Sequence, residues 1–244
     1  MYESLFPPEV WGTISRFLDV REVCRLYVGS NHAIQRALHV GVTHLVDWAD
    51  LPFPTRFSYF PSRKVAASFV SRFSYLECLH LPYNINITDD DMRSMLSHHV
   101  NYIDLSCNEE LTDYGLALLP PFLVSLTLKF STNLTDETLK HLPNTLKHLD
   151  LDRCKLITDE GLNNLPPTLE TLNITFAKNI TDSGLARLPK TLKNLQLAMN
   201  KTVTIAGVKQ LPDELQLLDL SHNTNLAHSS RQDFPAHLKV LLTL

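Results

Sequence analysis

Apolar and polar residues alternate along this chain in short bursts, and the bursts recur at a fixed interval. The segments FLVSLTL (122–128), TLKHLDL (145–151), TLETLNI (168–174), TLKNLQL (191–197) and ELQLLDL (214–220) follow one another every 23 residues. One equal step back lies HVNYIDL (99–105), and a step of 24 reaches YLECLHL (75–81). Alternation within each burst is the period of a half-buried strand. Aligned on the first apolar residue, the units start at Leu76, Val100, Leu123, Leu146, Leu169, Leu192 and Leu215, with a degenerate eighth at Leu238. Each strand is followed by a small or polar position, occupied by Asn84, Asn108, Ser131, Cys154, Ala177, Asn200 and Asn223. An apolar one comes next, filled by Ile87, Leu111, Leu134, Ile157, Ile180, Val203 and Leu226. No single unit has enough apolar residues for its own core, so the units must stack to remove them from water. The Asn positions suit the inside of each turn, where an amide pairs backbone groups that the bent chain leaves free; Ser131, Cys154 and Ala177 predict a weaker ladder at the centre.

The second half of each unit predicts a short helix. In ITDEGLNNLPP (157–167), Thr158 serves as an N-cap, and Asp159 and Glu160 place negative charge on the first turn. Leu162 and Leu165 face inward, and Pro166 ends the helix by excluding helical geometry at Leu165. The pairs Thr88-Asp89, Thr112-Asp113, Thr135-Asp136 and Thr181-Asp182 are equivalent, whereas Thr204 is followed by Ile205. Taken together these positions spell LxxLxLxxN/CxL, and the chain over 76–244 resembles a leucine-rich repeat array. The resemblance implies an α/β fold, a right-handed solenoid or horseshoe of seven units plus the degenerate eighth. The final HLKVLLTL ends on an apolar strand, which either meets another surface or is itself the cap.

The first forty residues follow a different rhythm. Val10, Ile14, Phe17 and Leu18 share one helical face, a second helix carries Val23, Leu26 and Tyr27, and a third runs through Ile34 and Leu38. The order Phe6-Pro7-Pro8-Glu9-Val10, Ile14, Phe17-Leu18-Asp19, Glu22-Val23 and Ser30 resembles the F-box. It departs from that pattern at Phe6, usually Leu, at Gly29, often Val, and at Ala33, commonly aromatic. By motif, the resemblance implies that Phe6, Pro7, Glu9, Val10, Ile14, Phe17 and Leu18 contact the Skp adaptor protein. The chain would thereby join a cullin in an SCF-type ubiquitin ligase. F-box and leucine-rich-repeat proteins are substrate receptors of such ligases, and that is the function expected here. A three-helix segment also serves to close the end of a solenoid, so a leucine-rich-repeat interaction scaffold with no ubiquitin role is the alternative. Between the two parts, 41–75 reads as a degenerate solenoid cap. Leu45, Val46 and Trp48 form a first strand there, and Val65, Ala66, Phe69, Val70 and Phe73 form the face of a helix capped by Ser62.

Strand side chains that alternate away from the leucines line the concave face, where a protein target is expected. One column holds Tyr102, Ser125, His148, Thr171 and Asn194. A second holds Asp104, Thr127, Asp150, Asn173, Gln196 and Asp219. A third, just past the strand, holds Tyr83, Cys107, Phe130, Arg153, Phe176, Met199 and His222. Aromatic residues, Met and Arg dominate interface hot spots, so Phe130, Arg153 and Phe176, neighbours at roughly 5 Å, are predicted to centre the binding surface.

Composition narrows the classes. A net charge of -4, from 22 basic and 26 acidic residues without long runs, gives no footprint for nucleic acid or an anionic membrane. No apolar stretch reaches the roughly 18 residues of a membrane span, and the N-terminus lacks a signal-peptide pattern, so a cytoplasmic or nuclear location is expected. Cys24, Cys78, Cys107 and Cys154 are far apart, without metal-ligand spacing, and read as reduced thiols. His148, Asp150, Asp152 and Arg153 gather by periodicity rather than as a catalytic set, and no phosphate loop, GxSxG or HExxH is present. Cys107 has no identifiable base. No enzyme activity, metal or cofactor is expected.

Overall fold

The computed structural model describes residues 44–46, 77–80, 87–95, 100–226, 229, 231–235 and 238–241. The helices expected over 1–40, with Phe6, Pro7, Glu9, Val10, Ile14, Phe17 and Leu18, lie outside these residues. So do the helix expected after Ser62, Tyr83 and Asn84.

Among the described residues nine short strands form one sheet in chain order. They are β1 (His44–Val46), β2 (Cys78–His80), β3 (Tyr102–Asp104), β4 (Ser125–Thr127), β5 (His148–Asp150), β6 (Thr171–Asn173), β7 (Asn194–Gln196), β8 (Leu217–Asp219) and β9 (Lys239–Leu241). Every pairing is parallel, and the register places Ile103, Leu126, Leu149, Leu172, Leu195 and Leu218 side by side. All six are buried. The degenerate units at both ends join the same sheet, β1 beside β2 and β9 beside β8. Each strand proper spans three residues, shorter than the seven-residue apolar bursts. The flanking backbone nevertheless keeps bonding across repeats: the Val124 N–H donates to the Asn101 carbonyl at 2.8 Å and the Leu128 N–H to the Asp150 carbonyl at 2.8 Å.

Leu105, Leu128, Leu151, Ile174, Leu197 and Leu220, with Leu111, Leu134, Ile157, Ile180 and Val203 behind them, complete a continuous buried core. The small or polar positions from Asn108 to Asn223 are also buried. The Asn200 side chain donates to the carbonyls of Ala177 (2.7 Å) and Ile180 (3.0 Å) and accepts from the N–H of Val203 (2.9 Å). Asn223 donates to the Leu197 carbonyl, 26 residues back, and the Cys154 thiol reproduces that bond to the Leu128 carbonyl at 3.1 Å. At the centre the ladder thins, since Ser131 Oγ is buried without a hydrogen-bond partner among the described residues and Ala177 has no polar atom to offer.

The opposite side of the coil is a seven-residue helix at Asp89–Met95 and a single helical turn at Asp113–Leu116, Asp136–Leu139, Asp182–Leu185 and Ile205–Val208. Thr112, Thr135, Thr181 and Thr204 adopt extended backbone and accept from the N–H two residues on, as N-caps do. In the unit over 157–167 the turn is a 3₁₀ helix over Gly161–Asn164, and Leu165 before Pro166 is extended. The aspartates do more than charge the first turn. Asp136 takes the Thr158 N–H on one carboxylate oxygen (2.8 Å) and the Thr158 hydroxyl on the other (2.6 Å). Asp89, Asp113, Asp159 and Asp182 hold Thr112, Thr135, Thr181 and Thr204 in the same way. Each carboxylate thus clamps its own repeat to the next.

Candidate functional site

The open face of the sheet carries the three predicted columns. In the first, His148 is exposed, while Tyr102, Ser125, Thr171 and Asn194 are half-buried. In the second, Asp104 and Asn173 are buried. Their partners explain why. Asp104 Oδ1 accepts the Ser106 N–H at 2.9 Å and the Ser106 hydroxyl at 2.6 Å. Asp150, Asn173 and Asp219 accept the N–H two residues on, from Asp152 (3.0 Å), Thr175 (3.0 Å) and Ser221 (2.9 Å). These side chains turn the backbone out of the strand. Asp104 and Asp150, chosen from the sequence as contact residues, therefore have one carboxylate oxygen each committed to the fold.

The third column begins where that turn ends, and its backbone is unusual. Cys107, Phe130, Arg153, Phe176, Met199 and His222 all lie in the left-handed region, with φ between 58° and 67°. For a non-glycine residue this costs about 1–2 kcal/mol. From Cys107 to Met199 each of these residues also donates its N–H to the next coil. The Phe130 N–H donates to the Asp152 carbonyl (2.8 Å), Arg153 to Thr175 (3.0 Å), Phe176 to Ala198 (2.9 Å) and Met199 to Ser221 (2.9 Å). Phe130 is 41% exposed and Met199 38%, while Phe176 is half-buried. The guanidinium carbon of Arg153 lies 4.9 Å from the centre of the Phe130 ring and 4.8 Å from that of Phe176. Lys178, which the periodicity did not single out, places its ammonium 5.4 Å from the Phe176 ring centre. The result is an aromatic, cation, aromatic stack, each contact of a kind that contributes about 0.5–1 kcal/mol at an exposed site.

Charge around the stack is unevenly committed. Lys129 Nζ pairs with Asp150 Oδ2 at 3.2 Å. Burial alone would lower the Lys129 pKa, but Asp150, Asp152 and Asp104 raise it above the ordinary value. Asp152 is pushed upward by burial and then by repulsion from Asp150, against opposing pulls from Arg153 and Lys129. Its Oδ1 is buried without a hydrogen-bond partner among the described residues, and the Arg153 Nε lies 3.9 Å from it. On the neighbouring row, Glu170 sits between Lys147 (3.1 Å) and Lys193 (2.8 Å), whose hydrogen bonds hold its carboxyl down to about 2.

The Asp150 carboxylate is taken up by Lys129 and the Asp152 N–H. Among the described residues no group of three or more His, Cys, Asp or Glu side chains is placed to hold a metal. The buried Cys154 thiol is pushed up to about 12, chiefly by burial, so it stays protonated. Among the described residues no helix is long and apolar enough to cross a membrane.

The leucine-rich repeat family model matches residues 96–119, 143–165 and 166–188. No curated protein matches the chain. Among solved structures, one chain of the Rad7 and Elc1 complex in yeast superposes with a TM-score of 0.64 at 15% identity, over 98% of this chain. The present chain spans 65% of that one's length. The leucine-rich repeat-containing protein LegL7 from Legionella pneumophila gives a TM-score of 0.49 at 19% identity, over 89% of this chain and 71% of its own. The three matched segments are leucine-rich repeats, and the in-register parallel strands and stacked leucines carry the same solenoid geometry through the described residues.

Proposed function

We propose that this chain is the substrate-recognition subunit of an SCF-type ubiquitin ligase, holding a protein target on the open face of its sheet. The observation that carries target binding is the Phe130, Arg153, Phe176 stack, held outward by strained backbone in the middle of the face. A fold that needed only stability would place aromatic side chains in the core, not at left-handed positions on the surface. The adaptor role rests on the F-box-like order from Phe6 to Leu18, which would dock on the Skp adaptor and through it on a cullin. The likeness to a chain crystallised in the Rad7 and Elc1 complex supports a fold able to work inside an assembly. The contribution is proximity: the solenoid holds the target, and the ligase brings the activated ubiquitin.

Co-expression of the full chain with the Skp adaptor tests this directly. The two should co-purify, and changing Pro7 and Ile14 to charged residues should abolish the complex without altering the solenoid's melting temperature. Absence of any complex would assign the chain instead to scaffolds without a ubiquitin role.

A further inference from the structure

Arg153 is arranged to meet a partner of particular chemistry. The Phe130 and Phe176 ring centres lie 4.9 and 4.8 Å from its guanidinium carbon, so aromatic surface from the two neighbouring coils flanks the group and its N–H donors are what it offers a ligand. The group is accessible, with the side chain 43% exposed. Among the described residues no hydrogen bond uses its N–H groups, and the nearest carboxylate, Asp152, stands off at 3.9 Å from Nε. A planar fork of this kind is matched by a carboxylate, which accepts two parallel N–H bonds. The surroundings limit the charge of the ligand. Lys129 is already paired with Asp150, and Asp152 adds a second negative charge beside the stack, so repulsion from these carboxylates grows with the charge of the ligand and is larger for a dianion than for a monoanion. Phe130 flanks the group on one side and Phe176 with Met199 on the other, with the Lys178 ammonium against the Phe176 ring.

We propose that the edge of Arg153, stacked between Phe130 and Phe176, is a subsite for an Asp or Glu side chain of the target protein, with an apolar target residue packing on Phe130 or Met199. This rests on the reading of the open face as the target-binding surface, and it names the chemistry that the face selects. Unphosphorylated acidic segments with an adjacent apolar residue are the recognised class.

The test is selection of a phage-displayed library of short random peptides on the full chain, followed by fluorescence anisotropy with a synthetic winner. The winners should contain Asp or Glu beside an apolar residue. Glu→Gln in the peptide and Arg153→Gln in the protein should each weaken binding about tenfold, and together no more than either alone. Asp152→Asn, which removes the opposing charge, should tighten it. Arg153→Gln keeps an exposed polar side chain at the site, and an unchanged melting temperature confirms that it is folded. Winners without acidic residues, equal binding by Arg153→Gln, or additive losses would overturn the subsite. A phosphoserine peptide binding more than about tenfold tighter than the glutamate peptide would overturn the choice of carboxylate. Peptides that ignore Arg153 but are lost on His148→Ala with Asn194→Ala would remove the subsite and leave the open face as a receptor. Peptides lost on none of these changes would count against the receptor face itself.

Discussion

Phe130 and Phe176 pay for their outward position with backbone strain, which makes their role separable from stability. Asparagine tolerates the left-handed region far better than phenylalanine does. Replacing both rings with Asn should therefore leave folding stability within about 1 kcal/mol of the parent, because relief of strain offsets the lost ring contacts. Urea unfolding measures this, and a loss well beyond that size would mean that the rings are structural. Arg153 in the same column was legible from the sequence as a hot-spot residue type in register with two aromatics. The left-handed backbone was not, because none of the six residues is a glycine, and bonds within the turn and to the next coil together set it. Cys154 shows the converse. Its thiol stands in an asparagine position and donates to the same carbonyl that asparagine would, and with its titration raised to about 12 it should resist alkylation at pH 8 until the protein unfolds.

At the scale of the single coil, the recurring Thr-Asp pair and the glycine two residues after it form one device. A Cβ at Gly161 would lie 2.2 Å from Asp136 Oδ1, the oxygen that receives the Thr158 N–H. Glycine is needed there for close approach, not for its torsion freedom. Gly161→Ala should destabilise the solenoid by about 1–3 kcal/mol, read as a fall in melting temperature. The repeat with Thr138 at this position shows another solution, since the Thr138 hydroxyl itself donates to Asp113. The sequence displayed the TD-x-GL element plainly and predicted its capping threonine. The partner of the aspartate was hidden because it lies 22 or 23 residues away, across an interface that exists only once coils are stacked.

Across the whole molecule, these clamps join neighbouring units, and the one at Asp113 ties stability to pH. Burial raises the Asp113 pKa, but hydrogen bonds from Thr138 and Thr135 outweigh it and leave the folded value below the usual 3.8. A carboxylate depressed in the folded state stabilises the protein above its unfolded pKa, and that support is lost as pH falls through the folded value. Acid unfolding followed by circular dichroism should thus show the solenoid weakening below about pH 4. Thr138→Ala, which removes the strongest of these bonds, should move the transition to higher pH. An identical acid midpoint in that variant would show that Asp113 does not contribute. Repeat proteins unfold by losing nearest-neighbour interfaces, so the effect should spread outward from the coil at Asp113.

What the amino-acid order determined by itself was the architecture: a 23-residue period forces leucines onto one side of successive strands, and only a stacked parallel sheet removes them all from water. It also determined which side chains face outward, because alternation in a strand leaves no choice once the inner face is filled. Tertiary structure alone decided how those outward residues are spent. Contact between coils commits the Thr-Asp pairs to clamping repeats and brings Phe130, Arg153 and Phe176 into one stack. The physical reason is distance along the chain: each of the clamps and stacking contacts joins residues about one full repeat apart, where local propensity has no influence.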